Sequence, residues 1–139
     1  MRNWFFLFFC LWAFAYPNTL SVEINRYNFS SPGVADYDRG YLEARQATTL
    51  NINSQDNWQL TVQTNNSDLG VYGKPVTDFW WRKSNSGFSF QPITAQETVV
   101  DTGTAGNYVI TVDYKMLLNW GRDKPGSYIL VLIYNLTPP

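Results

Sequence analysis

The chain has 139 residues, with 10 basic and 11 acidic side chains, no histidine and a single cysteine. Such balanced charge offers no basic surface, so we expect no nucleic-acid partner. The absence of histidine excludes serine–histidine triads, and with one cysteine it also excludes the usual zinc, copper and iron sites and any internal disulfide. Aromatic residues make up 17% of the chain, and this composition is typical of an extracellular β-protein.

Residues 1–15 have the pattern of a secretory signal peptide. They read MRNWFFLFFCLWAFA, with an arginine near the start, an unbroken apolar run, and small residues at Ala13 and Ala15. The run is shorter than the about 20 residues of a membrane helix, although a retained membrane anchor is the alternative. We therefore predict cleavage after Ala15. The mature domain, residues 16–139, would then have no membrane span and be secreted or held at the cell surface.

Alternation of apolar and polar residues recurs along the mature chain, and no helical periodicity stands out. It predicts about seven to nine short strands, covering residues 20–29, 41–52, 58–63, 79–83, 88–91, 98–101, 108–114 and 127–136. Between them we expect a turn-rich connection at SSPGVADYDRG, a hairpin loop at 54–57 and one turn of helix at 115–120. The last strand is apolar on both faces, which indicates burial on both sides or a subunit contact. The pattern predicts a single all-β domain, an immunoglobulin-like or Greek-key β-sandwich.

Two aromatic-x-leucine triplets lie in the predicted strands: Trp58–Leu60 in DNWQLTV, and Tyr134–Leu136 in SYILVLIYNLTPP. They resemble the two motifs of the WxL surface domain of Gram-positive bacteria. The second triplet departs from that family because it has tyrosine in place of tryptophan. The resemblance implies a domain that attaches non-covalently to the cell wall.

The segment after the predicted cleavage site, YPNTLSVEINRYNF, is long, alternating and followed by a flexible SSPG stretch. Together with the last strand, it resembles secreted pilus and fibre subunits, in which a strand of one subunit completes the sandwich of the next. That resemblance implies a donor strand with Leu20, Val22, Ile24 and Tyr27 as its assembly residues. The alternative is an ordinary first strand paired within its own domain. Our first hypothesis is a non-enzymatic structural protein whose partners are copies of itself or other surface proteins.

Three tryptophans are candidates for a binding surface. Phe79, Trp80 and Trp81 are consecutive, so on a strand Trp80 points away from the other two and one face must be core. Exposed tryptophans stack against sugar rings or anchor protein interfaces. Our second hypothesis is therefore a carbohydrate- or cell-wall-binding module that uses Trp80, Trp81 and Trp120, with burial in the core as the alternative.

Asp36 and Asp38 are the only clustered pair of acids that invites a metal. Their spacing around Tyr37 is similar to the start of a calcium loop, but the later acidic ligands of such a loop are missing. A solvated pair of turn aspartates, partly neutralised by Arg39, is the favoured interpretation, and a catalytic carboxylate pair is less favoured. We predict no enzymatic activity, no cofactor and no metal.

Overall fold

A computed structural model describes residues 18–23, 26–70 and 73–139, so the predicted signal peptide lies outside the described residues. The described chain forms eight strands and one short α-helix, α1 (Val34–Arg39). The strands are β1 (Thr19–Val22), β2 (Tyr41–Ser54), β3 (Trp58–Gln63), β4 (Phe79–Lys83), β5 (Gln91–Pro92), β6 (Thr98–Gly103), β7 (Gly106–Leu117) and β8 (Ile133–Thr137). A 3₁₀ turn at Val76–Asp78 leads into β4.

The strands pair antiparallel in two sheets that pack face to face. The five-stranded sheet has the order β1-β2-β7-β4-β5, and the three-stranded sheet has the order β6-β3-β8. This arrangement confirms the predicted all-β sandwich. The strand β1 is an edge strand of the five-stranded sheet, and β8 is an edge strand of the three-stranded sheet.

The core lies between the sheets. It is formed by the inward-facing residues of strands whose side chains alternate between the two faces of a sheet. On β3, Trp58, Leu60 and Val62 are at most 1% exposed, as their alternation predicts. Burying each large side chain of this kind contributes about 1.5–3 kcal/mol. The opposite sheet contributes a matching set: Leu50, Ile52, Phe79, Trp81, Ile110, Val112 and Tyr114.

The predicted hairpin at residues 54–57 is wrong. The strands β2 and β3 that flank it belong to different sheets, so this loop crosses from one sheet to the other. Ile52 and Trp58 therefore contribute to the core from opposite sheets. Alternation shows which residues of a strand point inward. It does not show whether two successive strands pair in one sheet or lie in two sheets that pack face to face.

Two local predictions around the five-stranded sheet are also corrected. The expected helical turn at 115–120 is wrong. Residues 115–117 are instead the end of β7, because β2 and β4 both pair with this strand as far as Met116. The predicted turn-rich connection contains α1. The helix is stabilised by the Asp36 carboxylate, which accepts the Gly33 N–H at 2.9 Å, and Gly40 ends it with φ +83°.

Three predicted strands are substantially shorter in the structure. The first strand ends at Val22, short of the predicted end near Phe29, and the predicted strand at 88–91 is reduced to the two residues of β5. The last strand begins at Ile133 and not at Ser127. Residues 127–132 run beside the end of β3 without a regular ladder, held by Ile129 N–H donating to the Leu69 carbonyl at 2.7 Å.

Candidate functional site at the open side of the sandwich

The strand β1 lies at an edge of the five-stranded sheet. It pairs with β2 of the same chain over four residue pairs, from Thr19 opposite Asn53 to Val22 opposite Leu50. Leu20 packs against the core, whereas Val22 is 37% exposed. Ile24, the third predicted donor residue, lies outside the described residues. Within a single chain, the candidate donor strand therefore pairs with its own domain through a short antiparallel ladder.

Residues 26–30, which we call the covering segment, follow β1 without forming a strand. They make no hydrogen bond with any other described residue, and they are held by two aromatic rings. Phe29 packs against the core, and Tyr27 meets Phe29 edge-on with ring centroids 5.1 Å apart. Tyr27 remains 42% exposed. The segment therefore covers the core through side chains alone.

A groove of about 440 Å³ opens beside the covering segment. The groove is also lined by residues 128–132, which precede the edge strand β8. Ile129 and Val131 in this stretch are 67% and 57% exposed. The stretch predicted to be apolar on both faces thus has one partly buried face, which packs against the core, and exposed side chains at Ile129 and Val131 on the other. Within the described residues, β3 is the only strand that pairs with β8.

The polar side chains in the groove are uncharged apart from Arg26. They are the Asn28 amide and the hydroxyls of Thr48 and four tyrosines. The Tyr114 hydroxyl shares hydrogen bonds with Thr48 Oγ1 at 2.6 Å and with the Tyr134 hydroxyl at 2.9 Å. Burial raises the pKa of Tyr114, and burial together with the neighbouring Tyr114 raises the pKa of Tyr134 well above its ordinary value. The groove therefore suits apolar side chains and neutral hydrogen-bonding groups.

The three candidate tryptophans do not form one platform. Trp81 is 2% exposed and belongs to the core, so its proposed binding role is wrong. Trp80 points to the opposite face, as predicted, where its Nε1 donates to the Thr77 carbonyl at 2.8 Å. Trp120 is 59% exposed and stacks on Tyr37, with centroids 4.3 Å apart and planes 27° apart. Sequence reasoning missed this pairing, because no local pattern joins two residues so far apart in the chain.

The outer face of the five-stranded sheet carries rings and cations in alternation. Lys115 Nζ lies 4.7 Å from the Tyr41 ring centroid and 4.2 Å from that of Phe90. Arg39 contacts the Tyr41 ring at 5.0 Å, and Arg82 contacts the Phe90 ring at 4.2 Å. These cation–π contacts already engage the rings of this row. The Tyr41 and Phe90 rings thus differ from the ring of Trp120, which projects into solvent.

The candidate metal pair is used differently in the structure. Asp36 accepts from Arg39 at 2.6 Å and from the Gly33 N–H, as part of α1. The described residues contain no group of three or more metal-binding side chains that could hold an ion. Asp36 is thus a helix-stabilising residue, and the predicted neutralisation by Arg39 is confirmed.

A buried ion cluster was not predicted from the sequence. The Lys74 side chain is 3% exposed and contacts Asp78 and Asp123, while Arg122 also contacts Asp78. Lys74 Nζ lies 2.9 Å from Asp78 Oδ2 and 2.7 Å from Asp123 Oδ2. Lysine is rarely buried without a partner. The two aspartates supply the compensating charge here and tie the turn at 119–123 to the loop before β4.

Comparison with known proteins adds no relative. No family model matches the chain, and neither a curated protein nor a solved structure matches it. The structure itself defines the class, a two-sheet antiparallel β-sandwich. In the part of the chain that the structure describes, no helix is long and apolar enough to cross a membrane.

The resemblance to WxL domains stays a prediction. The two triplets on which it rests lie side by side in the three-stranded sheet, with Leu60 opposite Leu136 and Val62 opposite Tyr134.

Proposed function

We propose that this protein is a non-enzymatic structural subunit of the cell surface that assembles by exchanging its N-terminal strand between copies. The observation that carries this proposal is the way β1 and residues 26–30 attach to the rest of the domain. They contribute a four-pair edge strand, β1, and a covering segment that has no hydrogen bonds to other described residues. A partner copy can supply the same residues to the same positions.

The exchange has a small energetic cost because each interaction that breaks within one chain forms again with the next chain. The Thr19–Asn53 and Val22–Leu50 pairs would form again between two chains, and Phe29 would again cover a core. Residues 30–33, which precede α1, would act as the hinge. Domain swapping of an identical element is a low-cost route to oligomers. When each copy donates in one direction and receives in the other, the product is an open filament.

Further support comes from the chain's chemistry and its N-terminal sequence. The absence of histidine and the single cysteine leave no common nucleophile–base pair. Residues 1–15 favour export, which would place the subunit on the cell surface where assembly is useful. Copies of the chain are the proposed main partners, and other surface proteins are the alternative.

Cysteine mixing tests the exchange directly. Ser21 and Asn51 are register partners on β1 and β2, and antiparallel Cα separations of about 4.5–5.5 Å suit a disulfide. We would make Ser21→Cys and Asn51→Cys separately in a Cys10→Ser background. The two variants would be refolded together at high concentration and oxidised. Exchange predicts a mixed disulfide dimer that neither variant gives alone.

The matched control mixes Ser21→Cys with Ser89→Cys in place of Asn51→Cys. Ser89 is exposed and lies outside the β1–β2 pairing. Dimers at equal yield with this control would reflect random collision and would contradict the proposal. So would a Ser21→Cys/Asn51→Cys double variant that closes only within its own chain, with no mixed dimer from the single variants. Electron microscopy and light scattering of the unmodified protein should show filaments or extended oligomers.

A further inference from the structure

The exposed ring of Trp120 is presented by the fold in a fixed orientation. Tyr37 on α1 stacks against it at a centroid distance of 4.3 Å, yet Trp120 remains 59% exposed. Because one face of the indole is backed by Tyr37, the exposure belongs to the opposite face and the edges. It is the most exposed tryptophan among the described residues.

The turn that carries Trp120 is braced from several directions. The Asn119 side chain accepts the N–H groups of Gly121 and Arg122 at 2.9 and 3.0 Å. The Asn119 N–H donates to Asp123 at 2.9 Å, and Asp123 is itself held by the buried Lys74. The Leu118 N–H donates to the Gly40 carbonyl at 2.8 Å, which joins the turn to the end of α1. A ring held in this way loses little conformational entropy when a ligand binds.

The surroundings of the ring distinguish between kinds of ligand. A protein-binding hot spot has a tryptophan at the centre of a wider apolar patch. Trp120 instead follows Asn119 and is followed by Gly121, Arg122, Asp123 and Lys124. On the α1 side, Asp38 is exposed next to Tyr37, and Arg122 is 47% exposed. A single exposed ring whose neighbours in the sequence are polar matches a ligand with a flat C–H face and a polar rim.

We propose that Trp120, backed by Tyr37, is the stacking platform of a binding site for neutral pyranose sugars. The C–H groups of one sugar face carry partial positive charge and would lie on the negative face of the indole. The sugar hydroxyls would hydrogen-bond at the rim, with the Asp38 carboxylate as acceptor. The donor would be Nη1 of Arg122, because Nη2 and Nε of that side chain already contact Asp78 and Asp123. Because the Arg122 charge is already paired with Asp78 and Asp123, whereas Asp38 has no ion-pair partner among the described residues, the site favours a neutral sugar over a uronic acid. A surface glycan or wall polysaccharide is the corresponding partner, and this site is independent of strand exchange.

The test measures retention of the secreted protein on insoluble cellulose, chitin and peptidoglycan. Titration with cellohexaose and chitohexaose follows for whichever polymer retains it. Trp120→Ala should weaken binding at least tenfold, and Trp120→Tyr should restore most of it by keeping a ring. Tyr37→Ala should weaken binding because it removes the backing, whereas Tyr37→Phe should not. Trp80→Ala is the matched control, since that indole is half-buried with its N–H engaged.

Thermal unfolding of each variant would show that the domain remains folded. Failure of the unmodified protein to bind any of the three polymers would overturn the proposal. So would a Trp120→Ala variant that binds as well as the original, or binding that depends on Trp80. Because Trp120 and Tyr37 lie outside residues 19–30, the cysteine-mixing result stays the same whichever outcome is found.

Discussion

Lys74 Nζ lies 2.7 Å from both carboxylate oxygens of Asp123, and the two side chains are 3% and 2% exposed. This ion pair joins two segments that are far apart in sequence, the loop before β4 and the turn that carries Trp120. Asp78 supplies a second carboxylate to the same ammonium at 2.9 Å. Such a cluster fixes the position of an otherwise irregular turn. It therefore connects the stability of the domain to the geometry of the proposed sugar site.

Removing one member of the pair should be strongly destabilising. Lys74→Met leaves two aspartates with only Arg122 to balance them, and breaking a buried pair costs about 3–5 kcal/mol. The double variant Lys74→Met/Asp123→Leu should recover part of that loss because no unpaired charge remains at Asp123. Urea unfolding measures the free energy of unfolding of both variants.

The matched control is Lys83→Met, which breaks a pair with Asp101 whose side chains are 31% and 26% exposed. It should cost only about 0–1 kcal/mol. Equal losses for Lys74→Met and Lys83→Met would show that the buried cluster has no special role.

The two adjacent tryptophans of β4 should respond very differently to truncation. Trp81→Ala empties a core site and should cost about 3–5 kcal/mol. The Trp81 Nε1 has no hydrogen-bond partner among the described residues, so Trp81→Phe sacrifices no hydrogen bond and should cost clearly less. Trp80→Ala, on the outer face, should cost less than Trp81→Ala as well. Denaturant unfolding of the three variants would contradict this structure if Trp80→Ala were the most damaging.

The strands could be predicted from the sequence, whereas their partners could not. The alternation of Trp58, Leu60 and Val62 indicates a strand with one buried face, and the structure agrees. The same alternation is compatible with β2 and β3 as a hairpin or as facing layers, and only the packing of the whole core decides between them. The six-residue α1 is also too short for helical periodicity to reveal it.

The candidate functional residues could likewise be recognised in the sequence, whereas their contacts could not. Trp120 stands out in the sequence as an aromatic residue beside a turn, but its partner Tyr37 is brought to it by the fold. Lys74 resembles any loop lysine until Asp78 and Asp123 are seen around it. Long-range contacts of single residues leave no periodic pattern, so sequence reasoning identifies candidates without assembling the site.

Gly103 on β6 is required by its neighbour on β3. It lies opposite Trp58 in the ladder, and a Cβ at Gly103 would come within 2.6 Å of Trp58 Cε2. Because the Trp58 ring is buried at 1% exposure and its Nε1 donates to the Thr104 carbonyl at 2.9 Å, it has little room to move. Gly103→Ala should cost about 1–3 kcal/mol through overpacking. Gly121→Ala is the control, since its nearest contact would be an ordinary 3.5 Å, and a larger melting-temperature loss there would contradict the argument.

The acid dependence of stability should depend in part on Asp113. Burial alone would raise the pKa of this carboxyl, but hydrogen bonds from Ser84, the Gln46 N–H and Arg82 outweigh it and hold the pKa below its ordinary value of 3.8. A group whose pKa is lower in the folded state stabilises the fold above the unfolded pKa. That contribution is lost as the pH falls from near 3.8 through the lowered folded value. Asp113→Asn, which cannot ionise, should therefore be less stable than the original at neutral pH.

The informative readout is the difference in unfolding free energy between the two proteins across pH. It should be largest at neutral pH and should shrink below pH 3.8, because the original loses the ionised carboxylate there while the variant is unaffected at this site. Exposed Asp38→Asn is the control and should give a smaller difference at neutral pH, since that carboxylate has no hydrogen-bond partner among the described residues. A constant offset between Asp113→Asn and the original at every pH would mean that the amide loses packing or hydrogen bonds alone, and that ionisation of Asp113 does not stabilise the sandwich.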